Sequence, residues 1–114
     1  MKKVECILRT GCLEPMISAV EQLDISGLNI TQIVGYGSQK GANETQVYRG
    51  VEYTIKLKEK FKVEMVVNDE KVDEVVNTII KVARTNQVGD GKIFIYPIEQ
   101  AIRIRTGEQG QAAV

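Results

Sequence analysis

The chain has 114 residues, with fifteen basic and fifteen acidic side chains, 43% hydrophobic and 26% charged residues. This length supports one hydrophobic core, and the cancelling charges exclude the overall basic footprint of a nucleic-acid or anionic-membrane binder. Histidine is absent, which excludes hydrolytic triads built on it and removes the commonest metal ligand. Residues 3–9, KVECILR, alternate Val4, Cys6 and Leu8 against Glu5, Ile7 and Arg9, the pattern of a half-buried strand. Glu5 and Arg9 also interrupt what would be the apolar core of an export signal, and no apolar run reaches the roughly 20 residues that span a bilayer. A cytoplasmic protein is therefore expected, with Cys6 and Cys12 as free thiols and Cys6 packed in the core.

Residues 13–23 place Met16, Ile17, Val20 and Leu23 on one helical face, with Pro15 in the first turn. A turn at Gly27 leads into a strand through Val34. Residues 35–54, GYGSQKGANETQVYRGVEYT, show no regular apolar period, whereas 55–67, IKLKEKFKVEMVV, alternate apolar and charged residues as a strand with one polar face. Asn68 is the expected cap of a helix with Asp69 and Glu70 at its positive end. Its buried stripe comprises Val72, Val75, Val76, Ile79, Ile80 and Ala83. TNQVGDG breaks that helix, KIFIYP is a short apolar strand, and the remainder holds a brief alternating run and a polar tail.

The order β-α-β, long loop, β-α-β predicts an α+β fold: the ferredoxin-like βαββαβ sandwich, a four-stranded antiparallel sheet with two helices on one face. KVEC at 3–6 and KVEM at 62–65 open the two halves and hint at an internal duplication. KIFIY is apolar on both faces, so the face without helices is expected to be covered by another copy of the chain. Neighbouring strands need only a few residues to connect, so about 20 between strands two and three suggests a functional loop.

Three segments could bind an anion together. Gly35, Gly37 and Gly41 allow close backbone approach beside Lys40. Gly89 and Gly91 bracket Asp90 and end in Lys92. Arg103 and Arg105 stand two apart in an extended run, projecting the same way and suiting a polyphosphate. Each signal alone is also met in ordinary turns and solvated strand faces, and neither a dinucleotide fingerprint nor GxxxxGK[ST] is present.

TNQVGDGKIFI (85–95), followed by IRIRTGE (102–108), closely resembles the C-terminal signature of the P-II signal-transduction proteins. YRGVEY (48–53) is similar to their second signature, in the long T-loop, and GYGSQKG (35–41) to the segment where that loop starts. The resemblance covers essentially the whole chain as one domain, 1–114, with the T-loop at about 37–55, the B-loop at about 85–92 and the C-terminal segment at about 101–114. It implies a non-enzymatic homotrimer with nucleotide sites between subunits, sensing ATP against ADP, and 2-oxoglutarate alongside Mg2+ and ATP. Carried over by motif, Gly37, Gln39, Lys40, Gly89, Asp90, Gly91, Lys92, Arg103 and Arg105 form the nucleotide set. Gln39 would help hold Mg2+, and Lys60 would pair with a carboxylate of 2-oxoglutarate. Lys60 has no such meaning apart from the family; on its own it reads as a solvated strand lysine.

The implied target is another protein, such as an ammonium transporter or a nitrogen-metabolism regulator. Arg49 matches the arginine that can plug a channel exit, and Tyr53 the tyrosine that some members uridylylate. Membrane contact would come only through a transporter partner, and no nucleic acid is expected. Three departures stand out: Val51 in place of a small residue or serine, which excludes phosphorylation there; Ser38 where arginine is common; and ANETQV, about two residues longer than usual. They leave open an alternative, an adenylate sensor without a 2-oxoglutarate response that regulates a different transporter or complex. A slow ATPase is the third class, disfavoured because no nucleophile–base pair is evident.

Overall fold

The computed structural model describes residues 1–36, 44–48, 51–55 and 57–114; for the two segments between 44 and 55 the backbone alone is described. β1 (Lys2–Arg9) alternates as expected, burying Val4, Cys6 and Leu8 and leaving Lys3, Glu5, Ile7 and Arg9 half-buried on the opposite face. A 3-10 turn over Thr10–Cys12 leads into α1 (Leu13–Glu21), which buries Met16 and Val20. The helix stops two residues short of Leu23, where the chain turns through Asp24 at φ 54°.

β2 (Asn29–Tyr36) and β5 (Leu57–Val67) pair antiparallel, β5 pairs β1, and β1 pairs β6 (Lys92–Pro97), giving the order β2-β5-β1-β6. α2 (Val72–Ala83) buries Val75, Ile79 and Ala83 against the same sheet face as α1. These four strands and two helices are the predicted ferredoxin-like βαββαβ sandwich, with the crossovers bringing β1 and β5 to the centre. Val4, Cys6, Leu8, Val63, Met65 and Val67 from the central pair meet both helices in the core. Such a core is apolar throughout, and burial pushes the Cys6 thiol up to about 11, a Val63 backbone hydrogen bond only partly opposing it.

Two expectations need correction. The stretch read as lacking regular structure contains β3 (Glu44–Tyr48) and β4 (Val51–Ile55), an antiparallel pair in which Tyr48 faces Val51 and Gln46 faces Tyr53. Its sequence is rich in valine, threonine and tyrosine, which favour extended backbone even without a regular apolar period. The second correction concerns Asn68, whose side chain makes no capping hydrogen bond. The chain enters α2 through a 3-10 turn over Asp69–Lys71, closed by the Lys71 amide on the Asn68 carbonyl at 2.9 Å. Asp69 meanwhile accepts from the N-terminal amine at 2.8 Å.

The sheet face away from the helices carries a polar lattice at the Lys2 end. Lys3 Nζ lies 3.7 Å from Glu64 and 4.3 Å from the centre of the Tyr96 ring, and the Tyr96 hydroxyl donates to Glu5 at 3.1 Å. Toward the Arg9 end the same face becomes cationic: register sets Arg9 opposite Lys60, and Lys58, Lys60 and Lys62 alternate onto one side of β5. Among the described residues no helix is long and apolar enough to cross a membrane.

Candidate anion-binding site

α2 ends at Ala83, and residues 85–91 then curl back to deliver Lys92 to β6 opposite Ile7. The curl needs left-handed backbone at Asn86 (φ 63°), Gly89 (φ 101°) and Gly91 (φ 94°), a conformation open to glycine and tolerated by asparagine. Gly91 is forced on a second ground, because a Cβ there would stand 1.7 Å from the Ile7 carbonyl oxygen. The loop therefore lies directly on the end of β1.

Asp90 organises the inside of this loop. Its carboxylate accepts from the Thr85 amide at 2.7 Å, the Asn86 amide at 3.0 Å and the Thr85 hydroxyl. The hydroxyl bond foremost, then the Thr85 amide, holds Asp90 below its ordinary pKa, with the Asn86 amide and Arg9 adding to the effect. Arg9, the last residue of β1, donates from Nη2 to the Val88 carbonyl at 2.6 Å and places Nε 3.6 Å from Asp90 Oδ1. Beneath the loop a cleft of about 390 Å³ runs between α2 and β6, lined by Leu8, Val76, Ile80 and Ile95 together with Gly91 and Lys92.

Several predicted residues meet at this end of the sheet. Gly89, Asp90, Gly91 and Lys92 form the loop, and Lys60 stands on β5 directly across from Arg9. The Lys60 Cδ lies 3.8 Å from where a Cβ on Gly35 would be, so the stem of Lys60 passes over the glycine that precedes the T-loop. Like charges directly opposite across a strand pair repel, and the Asp90 carboxylate 3.6 Å from Arg9 Nε offsets the Arg9 charge here. Lys92 is exposed at the start of β6, opposite Ile7. Gly37, Gln39, Lys40 and Arg49 lie outside the described residues, and of Tyr53 only its backbone place in β4 is described. Among the described residues no cluster of three or more Cys, Asp or Glu side chains forms a metal cage.

Arg103 and Arg105 do not join this group within one chain. Their segment is anchored at the opposite end of β1, where the Ile98 amide donates to the Met1 carbonyl at 3.2 Å and Ala101 lines a pocket with Lys3 and Val66. The eight residues of β1 separate the two ends by roughly 23 Å at strand rise. The extended run expected around Arg103 is also absent: Ile102 bridges Gln109, residues 104–106 turn, and the Gly107 amide closes on the Arg103 carbonyl at 2.7 Å. Glu108 accepts from the Arg103 guanidinium at 3.2 Å, which stabilises the turn over a straight strand. Arg105 is exposed at its tip. Reading the sequence missed Arg9 and Thr85. The Thr85–Asp90 spacing resembles a side-chain-closed turn, but the Arg9 contact depends on strand register and has no local signal.

The family model described as nitrogen regulatory protein P-II matches residues 1–108. Among curated relatives, the nitrogen regulatory protein P-II of Nostoc punctiforme is 51% identical over 114 residues, covering all of both chains. The Rhodobacter capsulatus protein of the same name is 48% identical and nitrogen regulatory protein P-II 1 of Escherichia coli 43%, again over the full length of both chains. Fold, motif order and full-length similarity agree, and the chain belongs to the P-II family of nitrogen regulatory signal-transduction proteins.

Proposed function

We propose that this protein is a non-enzymatic trimeric sensor that reads ATP against ADP, and 2-oxoglutarate alongside Mg2+ and ATP. Its output is regulation of an ammonium transporter or nitrogen-metabolism protein through the T-loop. The observation that carries this reading is the gathering of Gly89, Gly91, Lys92 and Lys60 at one end of the sheet, where the T-loop begins. Left-handed glycines offer backbone amides and the side chains offer positive charge, the parts of a phosphate cage.

The separation of Arg103 and Arg105 from this corner supports a site completed by a neighbouring subunit. One copy would contribute the B-loop and the T-loop base, including Gly37, Gln39 and Lys40, and the next copy the two guanidiniums. The half-exposed Phe94 and Tyr96 on the face without helices give such an assembly apolar surface to bury. A 2-oxoglutarate dianion beside a triphosphate is repelled, and a divalent cation with oxygen ligands relieves the repulsion. Mg2+ would be held by Gln39 and phosphate oxygens, and Lys60 would take a carboxylate of the ketoacid. Occupancy at Gln39 and Lys40 then biases the T-loop among its forms, which is how the small-molecule state would reach a target.

Titrating 2-oxoglutarate calorimetrically into the protein, with and without saturating Mg2+ and ATP, tests this directly. Binding only in the presence of the metal nucleotide is expected. Binding of ATP and ADP with no 2-oxoglutarate response under either condition would replace it with the adenylate-only reading that Ser38 and the longer loop raise.

A further inference from the structure

The Arg9–Asp90 contact links the last residue of β1 to the middle of the B-loop, across 81 positions of sequence by number (90 − 9). Asp90 directs both carboxylate oxygens inward, to Thr85 and Asn86, and so spends its acceptors on the loop itself. Arg9 meets the outer side of the same loop at the Val88 carbonyl, and its Nε is buried with Asp90 Oδ1 as the carboxylate oxygen 3.6 Å away. With Gly91 seated against Ile7, the loop is fastened at three points to the end of β1.

We infer that Arg9 and Asp90 are positioning residues: together they hold the B-loop in its phosphate-accepting shape before any ligand arrives, and Asp90 does not itself contact the phosphates. The inference rests on the nucleotide reading above for its purpose, though not for its geometry. A carboxylate facing an incoming triphosphate would repel it. An Asp between two phosphate-binding glycines is tolerable when its charge is already shared with two amides, a hydroxyl and a guanidinium. Preorganised amides need no rearrangement when the ligand binds, so losing the brace weakens binding without removing a ligand contact.

The test combines amide hydrogen exchange on the ligand-free protein with calorimetric ATP titration, for Arg9→Gln, Asp90→Ala and the double variant. Exchange at the Thr85 and Asn86 amides should accelerate about tenfold or more in each single variant, while amides of the central strands stay unchanged. ATP affinity should fall in parallel, and the double variant should be no weaker than the weaker single one, because both act through one loop shape. Asp90→Asn, which keeps one acceptor oxygen and is the milder change, should give intermediate exchange. Unchanged exchange in Arg9→Gln would overturn the brace. Weaker ATP binding by Asp90→Ala with unchanged exchange, or additive losses in the double variant, would overturn the shared positioning role. Failure of the wild-type protein to bind ATP would instead overturn the nucleotide reading and leave the exchange result to decide the brace.

Discussion

Gly91 offers the sharpest test of how the B-loop is built, because two separate constraints fall on it. Its φ of 94° is costly for any residue with a Cβ, and that Cβ would stand 1.7 Å from the Ile7 carbonyl oxygen. Cβ atoms essentially never approach closer than 3.0 Å, so alanine at 91 demands at least 1.3 Å of movement (3.0 − 1.7) by backbone on one side or the other. Two other glycines separate these effects. Gly107 shares the left-handed conformation at φ 73° but has open space around it, and Gly11 has open space without the positive φ. Gly11→Ala should leave stability within about 0.5 kcal/mol or raise it slightly through the unfolded chain. Gly107→Ala should cost roughly 1–2 kcal/mol from backbone strain alone. Gly91→Ala adds overpacking against a central strand, a further 1–3 kcal/mol or so. At about 4 °C per kcal/mol for a chain of this size, melting curves at one fixed protein concentration should resolve the three. Equal losses for Gly91→Ala and Gly107→Ala would refute the claim that the loop is pressed onto β1.

Three further outcomes are expected. The buried Cys6 thiol ionises near 11, whereas in an unfolded chain it does so near 9.0, so the folded state holds an extra proton between them. Stability contributed by the neutral thiol is complete below pH 9 and is lost as pH rises through 11, by about 3 kcal/mol at most; denaturant titrations of Cys6→Val across that range should lack this component of the alkaline decline. Lys60→Met should weaken 2-oxoglutarate binding about tenfold or more, the loss of a charge-assisted contact, with ATP affinity changed far less, read from paired calorimetric titrations. Arg49→Ala should abolish inhibition of a cognate ammonium channel in a transport assay while leaving ATP binding intact; unimpaired inhibition would remove the plug role.

The fold was legible where an element has a face to bury, as β1, β5 and the two helices do. The alternation of Val4, Cys6 and Leu8, and the stripe through Val75, Ile79 and Ala83, are consequences of the core they line. Where no core imposes a period, the sequence was less informative. The β3–β4 pair forms a sheet of its own, and its sequence carries β-forming residues without an apolar period to announce them. Asn68 looked like a cap by type and position, yet the backbone closes its own 3-10 turn there and leaves the side chain no role in it.

The candidate site divides along a similar line. Gly89, Gly91 and Lys92 could be found because a left-handed turn demands glycine and a basic residue follows at once. Arg9 could not, since its meaning comes from register: β1 ends where β6 begins, and only that pairing sets a guanidinium beside Val88 and Asp90. Lys60 becomes intelligible in the same way, as the cation opposite Arg9 whose stem crosses Gly35. Arg103 and Arg105 show the converse. Their spacing suggested one shared direction, but the Glu108 contact bends their segment, at the far end of the sheet from the B-loop. Within one copy of the chain the segment that carries the two arginines is anchored at the end of β1 opposite the loop that carries Lys92. If a second copy brings the arginines to the B-loop, as the proposed trimer requires, dilution of the protein until its copies separate should cost ATP affinity even with every side chain intact, and an affinity independent of dilution across that range would refute the shared site.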